Sequence, residues 1–194
     1  MDNDNNINSY LQMVPPHDTE AEQAVLSSVI MDREAAGVAF EMLTGDDFYR
    51  PDHKIIFETA EELYNKNIPI DIITMKNRLV EKNVFDQVGG FAYIAQIASS
   101  VGSSVNIRHY AKIVEEKSIL RKLIKASSEM AQMGYGARED VNSIMDKAEK
   151  SIFDIMQNRN SGEFHHIRDV AIDAFERIAQ IYNTKEKITG VPTG

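Results

Sequence analysis

The sequence predicts an all-α fold in which a small helical head is followed by an antiparallel helical hairpin and then by a separate amphipathic linker helix. Three observations lead to this prediction. Apolar residues recur at spacings of three and four along most of the chain. The best strand candidate, 68–73, is short and is interrupted by Pro69. No proline or glycine occurs in 104–133, which predicts one helix about 45 Å long.

The head is predicted to begin directly after the proline pair Pro15-Pro16. Thr19 and Glu22 have the spacing of a capping box, in which each side chain bonds the backbone N–H of the other residue. A first helix then carries an apolar stripe, and a second helix spans 33–43, with Gly45 at its exit. The stripe of the first helix consists of Ala21, Ala24, Val25, Val29 and Ile30.

Three more helices are predicted in the head. Pro51 suits the first position of the third helix, because a proline there loses no helical hydrogen bond. Asp71 is a suitable N-cap for the fourth helix, and Gly89-Gly90 separates the fourth from the fifth. The predicted apolar stripes are Ile56, Phe57, Ala60, Leu63 and Tyr64 in the third, Ile72, Met75, Leu79 and Val80 in the fourth, and Phe91, Ile94, Ile97 and Ala98 in the fifth.

The hairpin is predicted from two apolar stripes on either side of a break at Gly134-Tyr135-Gly136. Two helices alone cannot bury all of this surface, so a second copy or another domain is expected to cover the rest. The residues predicted to form the hairpin packing or a subunit interface are Ile119, Leu123, Met130, Met133, Met145, Ile152 and Ile155.

The linker helix is predicted because an isolated amphipathic stripe follows the polar residues 158–162. Such a helix has nothing local to pack on, so a groove on a neighbour is its expected docking site. The predicted segments are 1–16 (flexible lead-in), 17–103 (head), 104–158 (hairpin), 159–165 (linker), 166–183 (linker helix) and 184–194 (entry to a further domain). The residues predicted to dock are Ile167, Ala171, Phe175, Ile178 and Tyr182.

The composition narrows the range of partners and locations expected for this chain. The chain carries 21 Lys and Arg against 30 Asp and Glu, a formal net charge of −9, so DNA is expected to be bound only weakly or indirectly. Cysteine is absent, which excludes disulfides and thiolate metal sites and favours a cytoplasmic location. No apolar run approaches the roughly 18 residues of a membrane span, so no membrane partner is expected.

No catalytic motif emerges. The sequence has neither a G-x-x-x-x-G-K-[ST] phosphate loop nor a pair of histidines at metal-binding spacing, so no cofactor is expected here. Two clusters have two readings each. The acidic cluster around His53 could form a hydrolase site or could cap neighbouring helices, and we favour capping. The basic residues of the long helix could bind phosphate or an acidic partner or could form a solvent-exposed face, and we favour the exposed face. These clusters are Asp46, Asp47, Asp52 and His53, and Arg108, Lys112, Lys117, Arg121, Lys122 and Lys125.

An ordered set of short motifs runs along the chain: 16–26 (PHDTEAEQAVL), 47–49 (DFY) with His53, 69–71 (PID) with Thr74, Gly89-Gly90 with Tyr93-Ile94, and Asn106 with 110–114 (YAKIV). In their order and spacing these motifs resemble bacterial hexameric replicative DNA helicases of the DnaB type. The resemblance covers nearly the whole chain from Pro15 onward. The last residues, 189–194 (TGVPTG), resemble the segment that leads into the RecA-like ATPase motor of this family.

The resemblance implies that this chain is the collar of an ATP- and Mg-dependent 5′–3′ helicase, with no activity of its own. It implies hairpin pairing within a trimer of dimers, docking of the primase C-terminal domain, contact between the linker helix and the motor of the adjacent subunit, and access for a helicase loader, all at the replication fork. An alternative is the helicase-binding C-terminal domain of primase, which is similar in plan. The third reading is a hydrolase built on Asp47 and His53.

Overall fold

The computed structural model describes residues 14–100, 103–136 and 140–159, and all regular structure in these ranges is helical. This confirms the all-α prediction. The segments predicted as the linker helix and the entry to a further domain, 166–183 and 184–194, lie outside the described ranges. The α-helices are α1 (Thr19–Met31), α2 (Arg33–Met42), α3 (Pro51–Asn65), α4 (Ile72–Glu81), α5 (Gly90–Ala98), α6 (Ile107–Gly136) and α7 (Val141–Arg159), with a 3-10 turn at Gly45–Asp47 between α2 and α3.

The start of α1 corrects one prediction. The N-cap is Asp18, whose carboxylate accepts the backbone N–H of Ala21 at 2.9 Å. The predicted capping box of Thr19 and Glu22 is therefore wrong. Glu22 turns inward instead and is only 1% exposed. An aspartate at the N-cap satisfies a free helical N–H as well as a threonine does, and it leaves Glu22 available for the interior.

The other helix starts agree with the sequence. Asp71 caps α4 by accepting the N–H groups of Ile73 and Thr74, at 2.8 and 2.9 Å. Pro51 occupies the first turn of α3, where its missing N–H costs nothing. Asp32 caps α2 in the same way as Asp71 caps α4. These local signals determine where the head helices begin.

One apolar core holds the head together. It is built around Phe57, which is fully buried and lies against Phe48 and Phe40 at ring-centroid distances of 4.7 and 5.1 Å. Burial of this kind contributes about 1.5–3 kcal/mol for each large apolar side chain. Helices α1 to α5 all contribute, and the largest fully buried apolar side chains besides Phe57 are Leu26, Leu43, Ile56, Met75, Leu79, Ile94 and Ile97.

The long helix α6 belongs to both parts of the molecule. Its first turns carry Ile107, Ala111 and Val114 into the core of the head, where they pack with α1 and α2. Beyond Ser118 the helix continues away from this core and packs along α7 instead. The head and the hairpin therefore share one continuous helix. The contacts that the middle of this helix makes with the head determine how the two parts are joined.

Helix α6 extends slightly further than predicted. It includes Gly134 and Tyr135 and ends at Gly136, so the predicted break does not begin at Gly134. A glycine inside an exposed helix costs only about 1 kcal/mol, which the packing of α7 against α6 offsets. In the part of the chain that the structure describes, no helix combines the length and the apolar character that crossing a bilayer requires. The chain divides into two units, Met1–Arg159 and Asn160–Gly194.

Candidate protein-interaction site

The junction between head and hairpin is organised by the side chain of Asp47. One carboxylate oxygen accepts the hydroxyl of Ser118 at 2.6 Å and the ammonium of Lys122 at 2.8 Å, both from α6. The other oxygen accepts the backbone N–H and the hydroxyl of Thr44, each at 2.9 Å. Asp47 thus closes the 3-10 turn, as its capping role predicts, and also fastens that turn to α6.

These hydrogen bonds shift the pKa of Asp47. Burial by itself raises the pKa of the carboxyl group, because it disfavours the charged form. The hydrogen bonds from Lys122, Ser118 and the Thr44 amide act in the opposite direction and outweigh burial, so the pKa of Asp47 lies below its usual value. The carboxylate form is therefore the one that holds the junction.

Arg121 adds a second fastening at the same level of α6. Its guanidinium donates to the carbonyl oxygens of Pro16 and Asp47, at 2.9 and 2.5 Å. It also lies over the ring of Tyr49, which in turn stacks on His17 at a centroid distance of 4.2 Å. The prediction that the basic residues form a solvated face is wrong for Arg121 and Lys122. Their partners are 74 and 75 positions earlier in the chain, beyond the reach of a helical pattern.

A buried polar network crosses the head. The carboxylate of Glu22 accepts the backbone N–H of Tyr49 at 2.7 Å and lies 2.6 Å from Nδ1 of His53. The other ring nitrogen of His53 lies 2.7 Å from the hydroxyl of Tyr93, and Gln23 donates to that hydroxyl at 3.3 Å. One assignment satisfies every group: Gln23 donates to Tyr93, Tyr93 to His53, and His53 to Glu22.

This geometry does not favour a hydrolase. The side chain of His53 is fully buried, and its two ring nitrogens are occupied by Glu22 and Tyr93. Asp52 is paired with Arg50, and Asp46 with Lys54. A general base must reach the proton that it removes, and the His53 side chain has no exposed surface. The acidic cluster serves capping and internal pairing.

The free surface of the hairpin begins on α6. Past the head, the partly buried residues Ile119, Leu123, Met130 and Met133 share one side of α6, and Met133 lines a groove between α6 and α7. Leu120 and Ile124 lie about a third of a turn further round the helix. Both are exposed, at 44% and 55%. They form an apolar stripe that faces neither the head nor α7.

Helix α7 adds a second stripe to the same side. Helices α6 and α7 pack against each other and are separated by only four residues, so they run antiparallel. Met145, Ile152 and Met156 lie about a quarter of a turn from the side of α7 that faces α6. Because the two helices run in opposite directions, both stripes turn toward the same side of the hairpin. We define this free apolar face as Leu120, Ile124, Met145, Ile152, Phe153 and Met156.

The predicted interface residues fall into two groups. Ile119, Leu123, Met130, Met133 and Ile155 are partly buried, whereas Met145 and Ile152 lie on the free apolar face. The prediction did not include Leu120, Ile124 or Phe153. Their apolar character at helical spacing is visible in the sequence, but which side of α6 the head covers is not. The predicted docking residues of the linker helix, Ile167, Ala171, Phe175, Ile178 and Tyr182, lie outside the described residues.

The opposite side of the hairpin is polar. A shallow groove there runs between the helices near their connection and is lined by charged and amide side chains. Within the described ranges, no three His, Cys, Asp or Glu side chains are placed to hold a metal ion. The residues that line this polar groove include Glu129, Gln132, Tyr135, Lys147, Lys150 and Asp154.

Comparisons with known proteins agree with this architecture. The family described as the DnaB-like helicase N terminal domain matches residues 14–116. The replicative DNA helicase DnaC of Bacillus subtilis (strain 168) is 41% identical over 181 residues, which is 93% of this chain and 40% of that protein. This chain thus spans about two fifths of the length of that relative.

Two solved structures are similar as well. The crystal structure of the N-terminal domain of DnaB helicase from Mycobacterium tuberculosis has a TM-score of 0.70 and 33% identity, and the match covers 73% of this chain and 99% of that one. A DnaB-like replicative helicase, solved in a study of its interactions with primase, has a TM-score of 0.64 and 25% identity, covering 91% of this chain and 39% of that one. The chain therefore belongs to the family of DnaB-like helicase N-terminal domains.

Proposed function

We propose that this chain is the N-terminal collar of a hexameric, ATP- and Mg-dependent replicative DNA helicase, in which it pairs subunits and receives primase. The relatives it matches are replicative helicases, and the chain spans about 40% of their length. On this proposal the ATPase motor lies in the remaining part of the protein. The collar itself contributes protein contacts at the replication fork in the cytoplasm and performs no chemistry.

The free apolar face carries the proposal. Its six large apolar side chains are between 37% and 65% exposed, and the four on α7 line one groove. Exposing these apolar side chains to water is unfavourable, so a partner is expected to cover them. In a two-fold pair, a second copy of the same hairpin presents the same apolar surface and can cover them. Three such pairs would complete a ring of six subunits.

The remaining contacts follow from the same family. The solved relative whose title names interactions with primase supports a primase-binding role for this collar. We assign the C-terminal domain of primase to surface outside the free apolar face, and the linker helix to the motor of the adjacent subunit. A helicase loader is a further candidate partner. The net charge of −9 favours guidance of DNA through the ring over direct binding.

The alternative identity, the helicase-binding domain of primase, has less support. That domain shares the plan of a helical head followed by a hairpin, so the fold alone does not separate the two. The 41% identity to a replicative helicase favours the helicase side. Only the helicase reading expects the chain to pair through its hairpin and to bind a primase domain.

Light scattering followed by calorimetric titration tests the proposal. We expect the 194-residue chain to form dimers or larger assemblies and to bind the C-terminal domain of its cognate primase with saturation. Phe153→Asp should weaken self-association by placing a charge on the free apolar face. Gln132→Asp is the matched control, because it adds the same side chain to the polar groove. A monomeric chain that binds an intact helicase ring instead would establish the primase identity.

A further inference from the structure

The free apolar face contains two methionines that are exposed in the single chain. Met145 and Met156 are 65% and 63% exposed. Together with Ile152 and Phe153 they line a shallow groove on α7. Met75, by contrast, is fully buried in the head. The sequence contains nine methionines and no cysteine, so no thiol in this chain competes for an oxidant.

We propose that Met145 and Met156 are oxidation sites through which hydrogen peroxide weakens self-association of the hairpin. The inference rests on the proposed function, since it requires the free apolar face to be a pairing surface. It adds a means of regulating that surface. The thioether is the group that peroxide oxidises. Because it lies within an apolar face, its oxidation places a polar group on the proposed pairing surface.

The chemistry needs only peroxide. The sulfur attacks one oxygen of hydrogen peroxide and gives up two electrons. The O–O bond breaks, one oxygen remains on sulfur as the sulfoxide, and the other leaves as water. The product is polar, and reductases that act on methionine sulfoxide can reverse the change. The apolar side chain that suited a packed interface is thereby replaced by a polar one. Burying the sulfoxide in the interface requires its desolvation, which makes association less favourable.

The arrangement of the face makes the effect specific. Met145 and Met156 are eleven positions apart on α7, so two sulfoxides would place polar groups at both ends of the Ile152 and Phe153 patch. Met31 is also exposed, at 51%, but it lies at the end of α1 in the head. Its oxidation would not touch the hairpin, which makes it a control within the same molecule.

The test compares three forms of the 194-residue chain before and after limited treatment with hydrogen peroxide at high dilution, where the chain is dissociated and no second copy covers the free apolar face. They are the unsubstituted chain, Met31→Leu, and the double variant Met145→Leu with Met156→Leu. Leucine keeps the apolar volume and removes the sulfur. Sedimentation equilibrium gives the dissociation constant, circular dichroism checks the fold, and peptide mass mapping locates each added oxygen.

We expect peroxide to raise the dissociation constant of the unsubstituted chain and of Met31→Leu by about tenfold or more, which corresponds to about 1.4 kcal/mol. The double variant should associate normally and remain unaffected. Equal weakening in all three forms, or no oxygen on Met145 and Met156 when Met31 is oxidised, would overturn the inference. A chain that is monomeric before treatment would instead overturn the proposed pairing, and mapping would still report whether the two methionines react.

Discussion

Nδ1 of His53 lies 2.6 Å from a carboxylate oxygen of Glu22, and both side chains are shielded from solvent. The same carboxylate accepts the backbone N–H of Tyr49. It therefore joins α1, the start of α3 and the loop before α3 at one point. A carboxylate in this position is costly to remove, because its partners stay buried after it is gone.

We expect Glu22→Ala to lower the free energy of unfolding by about 2–5 kcal/mol, because it leaves two buried donors, the N–H of Tyr49 and the ring of His53, without their acceptor. Glu20 is the matched control. It lies two positions earlier on α1 and is exposed, so Glu20→Ala should change stability by no more than about 0.5 kcal/mol. Urea denaturation followed by circular dichroism measures both. Equal midpoints for the two variants would contradict the role assigned to Glu22.

The junction at Asp47 predicts a dependence on pH. Its pKa in the folded protein lies below the unfolded value of about 3.9, so its stabilising effect is complete above that value and is lost as pH falls through the folded pKa. Asp47→Asn should cost about 1–3 kcal/mol at neutral pH. The difference between the original chain and this variant should shrink as the pH falls below the unfolded value of about 3.9.

Urea midpoints measured across this pH range check that prediction. Asp46→Asn serves as the comparison, because Asp46 is mostly exposed and pairs only with Lys54 at the surface. Its substitution should leave the pH profile of the chain unchanged. If Asp47→Asn kept the full pH dependence, the carboxylate of Asp47 would not be the group that holds the junction.

How far the sequence predicted the structure depended on distance along the chain. Local signals were reliable: Asp71 as an N-cap and Pro51 in a first turn are both confirmed. The contact between Glu22 and His53 spans 31 positions, and that between Asp47 and Ser118 spans 71. Neither contact leaves a periodic pattern in the sequence, because the two polar side chains meet only after packing has brought distant helices together.

Apolar stripes were predicted somewhat too wide. Val80 and Phe91 share the apolar pattern of their helices, yet they are 50% and 54% exposed. Hydrophobicity marks a candidate core position, but the neighbouring helix decides how much of the stripe is covered. The same limit explains Leu120 and Ile124 on α6. Only the placement of the head and α7 shows that these two residues remain on the free apolar face.

Two glycines should respond in opposite ways to alanine. Gly89 adopts φ of +82°, and a Cβ there would meet the Cβ of Tyr93 at 2.8 Å. Gly89→Ala should therefore destabilise the head by about 1–2 kcal/mol. Gly134 lies inside α6 with nothing within 4 Å of its Cβ position, so Gly134→Ala should stabilise the chain by about 0.5–1 kcal/mol. Thermal denaturation of both variants measures the two signs.

Adjacent positions on α6 separate hairpin packing from self-association. Leu123 is partly buried, whereas Ile124 is 55% exposed on the free apolar face. Leu123→Asp should destabilise the hairpin by about 2–5 kcal/mol, because it removes apolar packing and places a charge at a partly buried apolar position. Ile124→Asp should keep the original melting temperature of the monomer, measured at high dilution, but raise the dissociation constant in sedimentation equilibrium. A loss of helicity in Ile124→Asp, or normal stability in Leu123→Asp, would mean that the two sides of α6 have been assigned incorrectly.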